Sequence, residues 1–144
     1  MKVFVYGSLM KGLGNHDLIS SQRRSIDDSF FGSGKAFGNF EMISFKYYPG
    51  AYKVEDGLPI HGELYEVDDS IFYKLDHLES NGSFYQRELI NVSTNHAGHN
   101  YSGPAWIYLL MKKPNSCEIV ENNDWKSHLE NEYNSTERTK SCAS

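Results

Sequence analysis

The stretch VYGSLMKGLGNH, Val5–His16, follows a short apolar start and carries glycines at positions 7, 12 and 14. Lys2–Tyr6 reads as a buried strand, and Asn15 reads as the cap of a short helix over Asn15–Ser21. Between them, Gly7, Ser8 and Leu9 form a slim segment at a strand end. Such a segment can present successive backbone N–H groups to a carboxylate or an oxyanion. The glycine spacing fits neither G-x-G-x-x-G nor G-x-x-x-x-G-K-[ST], so it is no nucleotide fingerprint. Plain turn glycines are the competing reading of the same residues.

Working outward, Ser29–Phe37 and Phe40–Phe45 are Phe-rich, glycine-broken strand candidates, with Gly38-Asn39 as the turn between them. Glu55-Asp56-Gly57 marks another turn. It precedes a strand at Ile60–Val67, where Ile60, Gly62 and Leu64 share one face and Glu63, Tyr65 and Val67 the other. Apolar or aromatic residues on both faces imply that both are covered. Gln86–Thr94 and Pro104–Met111 read as strands joined by a polar loop, Asn95–Gly103, and Asn123–Tyr133 as a last helix with Trp125 and Leu129 four apart. Strands outnumber helices, which favours an α+β domain with a closed or nearly closed sheet. Residues 1–133 are expected to form a single domain, and 134–144 a polar, disordered tail.

Composition narrows the function. The 144 residues are 39% hydrophobic and carry a net charge of −5, from 14 Lys+Arg against 19 Asp+Glu. One core fits that length. No basic run interleaved with aromatics is present, so nucleic acid is not an expected partner. No apolar segment suits a signal peptide or a bilayer span, and a cytoplasmic monomer is expected. Cys117 and Cys142 stand far apart without C-x-x-C spacing and read as incidental. His96 and His99 lie in a polar stretch without Asp or Cys companions, so no metal site is assigned.

Ser70–Glu79 is the clearest amphipathic segment. Asp68-Asp69-Ser70 offers a cap for a helix over Ile71–Leu78, and 100° per residue places Ile71, Phe72, Leu75 and Leu78 on one stripe. Glu79 falls on that stripe and Asp76 at its edge. A carboxylate facing a core has its ionised form destabilised and its pKa raised, which is how a base working near neutral pH is made. The helix stops at Ser80-Asn81-Gly82, so a side chain bent out to water is the alternative.

Taken together, Tyr6-Gly7-Ser8-Leu9 with Gly12, Asn15 and His16, then Leu75-Asp76-x-x-Glu79 and Tyr85-x-Arg87, resemble the γ-glutamyl cyclotransferase-like family. The likeness is closest to its γ-glutamylamine cyclotransferase branch, which includes plant AIG2-like proteins, and runs from Met1 to about Met111. The resemblance implies a small mixed β-barrel flanked by short helices, with a cavity at its mouth. It implies that Tyr6, Gly7, Ser8 and Leu9 line the cavity as the substrate loop, that Tyr85 and Tyr108 are cavity tyrosines, and that Glu79 is the catalytic acid/base. It implies a small γ-glutamyl substrate, γ-glutamyl-ε-lysine being one example, converted to 5-oxoproline and a free amine without cofactor or metal. Arg87 matches a motif position, with an ion-pair role as the alternative. Ser80 stands where many members have glycine, and residues 50–58 follow no family pattern.

Two other readings remain open. One is a binding module of the same fold that holds a carboxylate metabolite or a protein terminus. The other is a hydrolase with Ser8 as nucleophile and His16 or His61 as partner, although Ser8 lies outside a G-x-S-x-G elbow.

Overall fold

The computed structural model describes residues 1–14, 16, 30–79, 82, 84–114 and 118–134. All of the helix expected over Asn15–Ser21 except His16, the turn residues Ser80 and Asn81, both cysteines and residues 135–144 of the expected tail lie outside them. The elements are β1 (Lys2–Val5), β2 (Phe30–Ser44), β3 (Pro49–Lys53), β4 (Leu58–Glu66), α1 (Asp69–Leu78), β5 (Tyr85–His96), β6 (His99–Leu110) and β7 (Glu118–Ile119). A 3-10 turn at Glu121–Asn123 and α2 (Trp125–Asn134) follow.

The strands run in the order β2-β4-β1-β6-β5, and β5 pairs back onto β2, closing a five-stranded barrel. The β1–β6 pairing is parallel, with Val3 opposite Trp106, while the others are antiparallel, so the barrel is mixed. Inside it, Phe4, Ile60, Leu64, Ile107 and Leu109 are almost fully buried, while Val3 lies on the opposite face with Tyr65 and Trp106. α1 lays Ile71, Phe72 and Leu75 against the barrel wall, with the Phe72 ring 5.9 Å from that of Trp106. Its N-terminus is capped as expected, since the Asp68 carboxylate accepts the Ile71 N–H at 2.9 Å. Among the described residues, no helix is long and apolar enough to cross a membrane.

Two sequence expectations are corrected. The stretch from Ser29 to Phe45 is not two strands joined by a turn at Gly38-Asn39. The described part is one strand, β2, whose pairing with β4 shifts between Ala36 and Phe40. That irregularity lets its first half close the barrel while its second half leaves to pair with β3 and β7. The fork is held by Asn123, a buried side chain that accepts the Met42 N–H and donates to the carbonyls of Phe40 and Leu58. Likewise, Asn95–Gly103 is not a loop. β5 and β6 pair from Tyr85–Leu110 to His96–His99, around a two-residue turn in which Ala97 and Gly98 both have positive φ. A turn of that hand matches the twist of a hairpin, so polar residues continue the ladder on its exposed end.

Candidate active site

The barrel mouth holds a cavity of about 590 Å³, a size suited to a small molecule. Its wall is assembled from four places in the chain. The end of β1 and the loop after it supply Phe4 through Leu9, and the approach to β3 supplies Tyr47, Tyr48 and Pro49. The end of α1 supplies Leu78 and Glu79, and Phe84, Tyr85 and Tyr108 come from β5, β6 and the segment before β5. All seven residues singled out in the sequence, Tyr6, Gly7, Ser8, Leu9, Glu79, Tyr85 and Tyr108, therefore meet in one cavity.

The loop is pinned on both sides. The Gly7 carbonyl accepts the Met10 N–H at 3.1 Å, giving a tight turn directly after the strand. Glycine is required at position 7 because a Cβ there would lie 2.9 Å from the Pro49 ring. Beyond the turn, the Leu9 carbonyl faces His16 Nδ1 at 2.9 Å, and the Lys11 N–H donates to the Glu63 carboxylate at 2.8 Å. His16 thus directs Nδ1 at the loop backbone.

Glu63 is a residue whose part in the site the sequence reading missed. Its carboxylate, buried in β4, also accepts from Tyr65 Oη at 2.9 Å and from Lys126 Nζ at 2.8 Å. One acid so ties the cavity loop to the barrel and to α2. A glutamate on a strand with both faces covered was the available signal, since a buried carboxylate needs several donors.

The tyrosines work as struts. Tyr6 Oη donates to the Tyr108 carbonyl at 2.5 Å and accepts the Ala51 N–H at 3.2 Å, bridging β6 and β3. Tyr85 Oη donates to the Pro49 carbonyl at 2.7 Å. Tyr108 Oη donates to Asp76 Oδ1 at 2.5 Å, and Arg87 donates to Asp76 Oδ2 at 2.7 Å. Burial is the main cause pushing all three phenols up, with the Glu79 charge adding to each, so they stay neutral at any working pH. Arg87 takes the ion-pair role. Its guanidinium sits over the Phe72 and Trp106 rings, 4.5 and 5.1 Å from their centroids, at the seam between α1 and the barrel wall.

Asp76 therefore fastens the last turn of α1 to β5 and β6, one turn ahead of Glu79. Asp76→Ala removes two hydrogen bonds to a charged group that is only partly exposed. It is expected to cost about 2 kcal/mol in urea unfolding at pH 7, and an unchanged midpoint would show that the helix end is held by other contacts.

Glu79 closes α1 as its C-cap, its N–H donating to the Leu75 carbonyl at 2.9 Å. It is the one acid among the described residues lining the cavity, and burial pushes its carboxyl from the ordinary 4.5 up to about 7. Of the expected apolar stripe, Ile71, Phe72 and Leu75 are buried, and Glu79 is half-buried in the cavity wall. Leu78, by contrast, is 45% exposed and leans to the cavity rim instead of the core. Chemically, the arrangement is a proton acceptor and donor poised at neutral pH, set among aromatic walls and beside a backbone loop.

The chain matches the family model described as gamma-glutamyl cyclotransferase, AIG2-like, over residues 3–127. It is 30% identical over 125 residues to the gamma-glutamylcyclotransferase family protein YtfP of Escherichia coli K12, covering 87% of this chain and 96% of that one. This chain belongs to the gamma-glutamyl cyclotransferase, AIG2-like family. Among solved structures, an uncharacterized protein of Pyrococcus horikoshii superposes with a TM-score of 0.65 at 25% identity, over 92% of this chain and 97% of that one. An AIG2-like protein of Mus musculus shares the fold, with a TM-score of 0.64 at 24% identity over 79% of each chain. The mixed barrel flanked by short helices is thus the gamma-glutamyl cyclotransferase family fold, and the matched span includes every cavity-lining residue named above.

Proposed function

We propose that this protein is a cyclotransferase that converts a γ-glutamyl compound to 5-oxoproline and a free amine, with Glu79 as general acid/base. The observation that carries the proposal is a single carboxyl near pKa 7 inside a small-molecule cavity, in a chain of this family.

The chemistry follows from the substrate. Its α-amino nitrogen attacks its own γ-carbonyl carbon, forming a five-membered ring. The amine arrives protonated, since such groups titrate near or above about 8. Glu79 takes a proton from that nitrogen, the ring C–N bond forms, and the carbonyl oxygen gains charge. The same carboxyl then returns that proton to the departing nitrogen as the original C–N bond breaks, takes the second proton that the ring nitrogen must lose to become the lactam N–H, and passes it to the released amine, which leaves as ammonium. Proton and electron pair balance without an external reagent.

Backbone N–H groups of Gly7–Leu9 serve the developing oxyanion or the substrate α-carboxylate, a contribution of about 3 kcal/mol per donor when it meets the transition state. The rigid tyrosine struts keep the cavity from collapsing, so the flexible glutamyl chain is bound already folded for attack.

For the leaving group, the rim favours γ-glutamylamines. Tyr47, Tyr48 and Phe84 are exposed around the opening, an aromatic channel for the alkyl part of an amine such as the lysine side chain. Incubation with γ-glutamyl-ε-lysine, γ-glutamylalkylamines, γ-glutamyl dipeptides and glutathione, read by mass spectrometry, is expected to release 5-oxoproline fastest from the first two. Preference for a dipeptide or glutathione would overturn the amine assignment alone. No release from any of them, with saturable binding of 5-oxoproline, would replace the enzyme by a binding module.

A further inference from the structure

On the side of the molecule built by α2, a second cluster stands apart from the cavity. His128 and Glu132 lie one turn apart on α2, and Glu118 lies on β7, whose partner in the sheet is Ser44 of β2. His128 Nε2 is 3.2 Å from Glu132 Oε1 and 3.6 Å from Glu118 Oε1, and one ligand atom from each residue lies within 4.8 Å of the other two. The His128 side chain is only 10% exposed. Its Nε2 is fully shielded from solvent yet has no hydrogen-bond partner, so it points between the two carboxylates and bonds to neither.

A buried nitrogen in that condition is costly by itself, and two carboxylates placed together repel. A divalent ion would relieve both. Ligands about 2.1 Å from a tetrahedral ion are about 3.4 Å apart, the spacing that the imidazole nitrogen already keeps from the two carboxylate oxygens. The imidazole favours zinc and its neighbours over magnesium or calcium, which take oxygen ligands almost exclusively.

We infer that Glu118, His128 and Glu132 form a binding site for a zinc-type divalent ion that clips α2 to the β7 edge of the sheet. Three protein ligands leave the fourth position for water. The matched family segment ends at residue 127, so two of the three ligands lie outside it, and the cluster stands apart from the cavity. The sequence reading passed over it because the three residues are separated by a strand, a 3-10 turn and the start of a helix.

The test uses the chelator-treated full chain titrated with Zn2+ by calorimetry and with Co2+ by visible absorption. The wild type is expected to take up one equivalent, to melt at higher temperature with Zn2+, and to show tetrahedral Co2+ bands. Quenching of tryptophan fluorescence by Co2+ should accompany these, because the Trp125 ring stacks on His128 at 5.2 Å. His128→Ala, Glu118→Gln and Glu132→Gln are each expected to weaken Zn2+ binding at least tenfold. Glu132→Gln alters only a partly exposed helix position, so its result stands even if His128→Ala unfolds α2. Absence of uptake by the wild type, or equal uptake by wild type and Glu132→Gln, would overturn the site.

Discussion

Glu79→Gln is expected to lower kcat by 10²- to 10⁴-fold with γ-glutamylamine substrates while leaving the protein folded, the range that a positioned acid/base generally supplies. Gln keeps the shape and loses the proton chemistry. In the wild type, kcat should rise with pH through about 7, where the Glu79 carboxyl, raised by burial, ionises. The residual rate of the variant should lack that limb.

Stability gives an independent readout of opposite sign. The folded-state value of about 7 lies above the ordinary 4.5. Between the two, the folded protein keeps a proton that the unfolded chain has released. Stability from this group therefore falls as pH rises from 4.5 to 7, and the full penalty, about 3 kcal/mol, holds above pH 7. Glu79→Gln is accordingly expected to be more stable than wild type at pH 8 and equal to it near pH 4, read as urea midpoints at both values. Loss of activity with no gain in stability at pH 8 would mean that the carboxyl is solvated and its pKa ordinary. Full activity in the variant would remove Glu79 from the chemistry.

Gly34→Ala should produce the largest loss of stability. Gly34 sits in β2 where the strand pairs on both sides, with Gly62 of β4 and Thr94 of β5, so it lies at the seam that closes the barrel. A Cβ at this position would fall 1.9 Å from the Ser93 carbonyl oxygen and 2.8 Å from the Thr94 Cα. Both are backbone atoms in a paired strand, and no rotamer change can move them aside. Relief requires opening the β2–β5 pairing, with its hydrogen bonds and the core behind it. The expected cost is about 3 kcal/mol or more, seen as a drop in Tm of roughly 10 °C or as failure to fold. A variant that melts within about 2 °C of wild type would show that the barrel seam is open in solution.

Local signals carried much of the architecture. The Asp68 cap, the apolar stripe of α1 and the doubly covered β4 are each consequences of nearest-neighbour chemistry and periodicity, so residue order alone reveals them. Two errors came from the same limit in the other direction. Gly38-Asn39 has turn composition, yet β4 pairs on either side of it, at Ala36 and Phe40, and β3 takes up the strand from Phe40 onward. Asn95 to Gly103 has loop composition, yet an Ala97-Gly98 turn and a partner strand in register make it a hairpin.

The site divides along the same line. Glu79 was legible because a carboxylate on an apolar helical stripe conflicts with its surroundings, and the glycine-rich end of β1 was legible because few structures need such a segment. The sequence by itself determined these conflicts and the family pattern that joins them. Only the tertiary structure decided that Tyr6, Tyr85 and Tyr108 are struts whose hydroxyls are committed to the Tyr108 carbonyl, the Pro49 carbonyl and Asp76 respectively. It alone decided that Glu63 restrains the loop from the neighbouring strand β4, and that Glu118 meets His128 and Glu132. The physical reason is that these contacts join residues far apart in the chain. They exist only once sheet closure has brought the strands together, and no local preference encodes them.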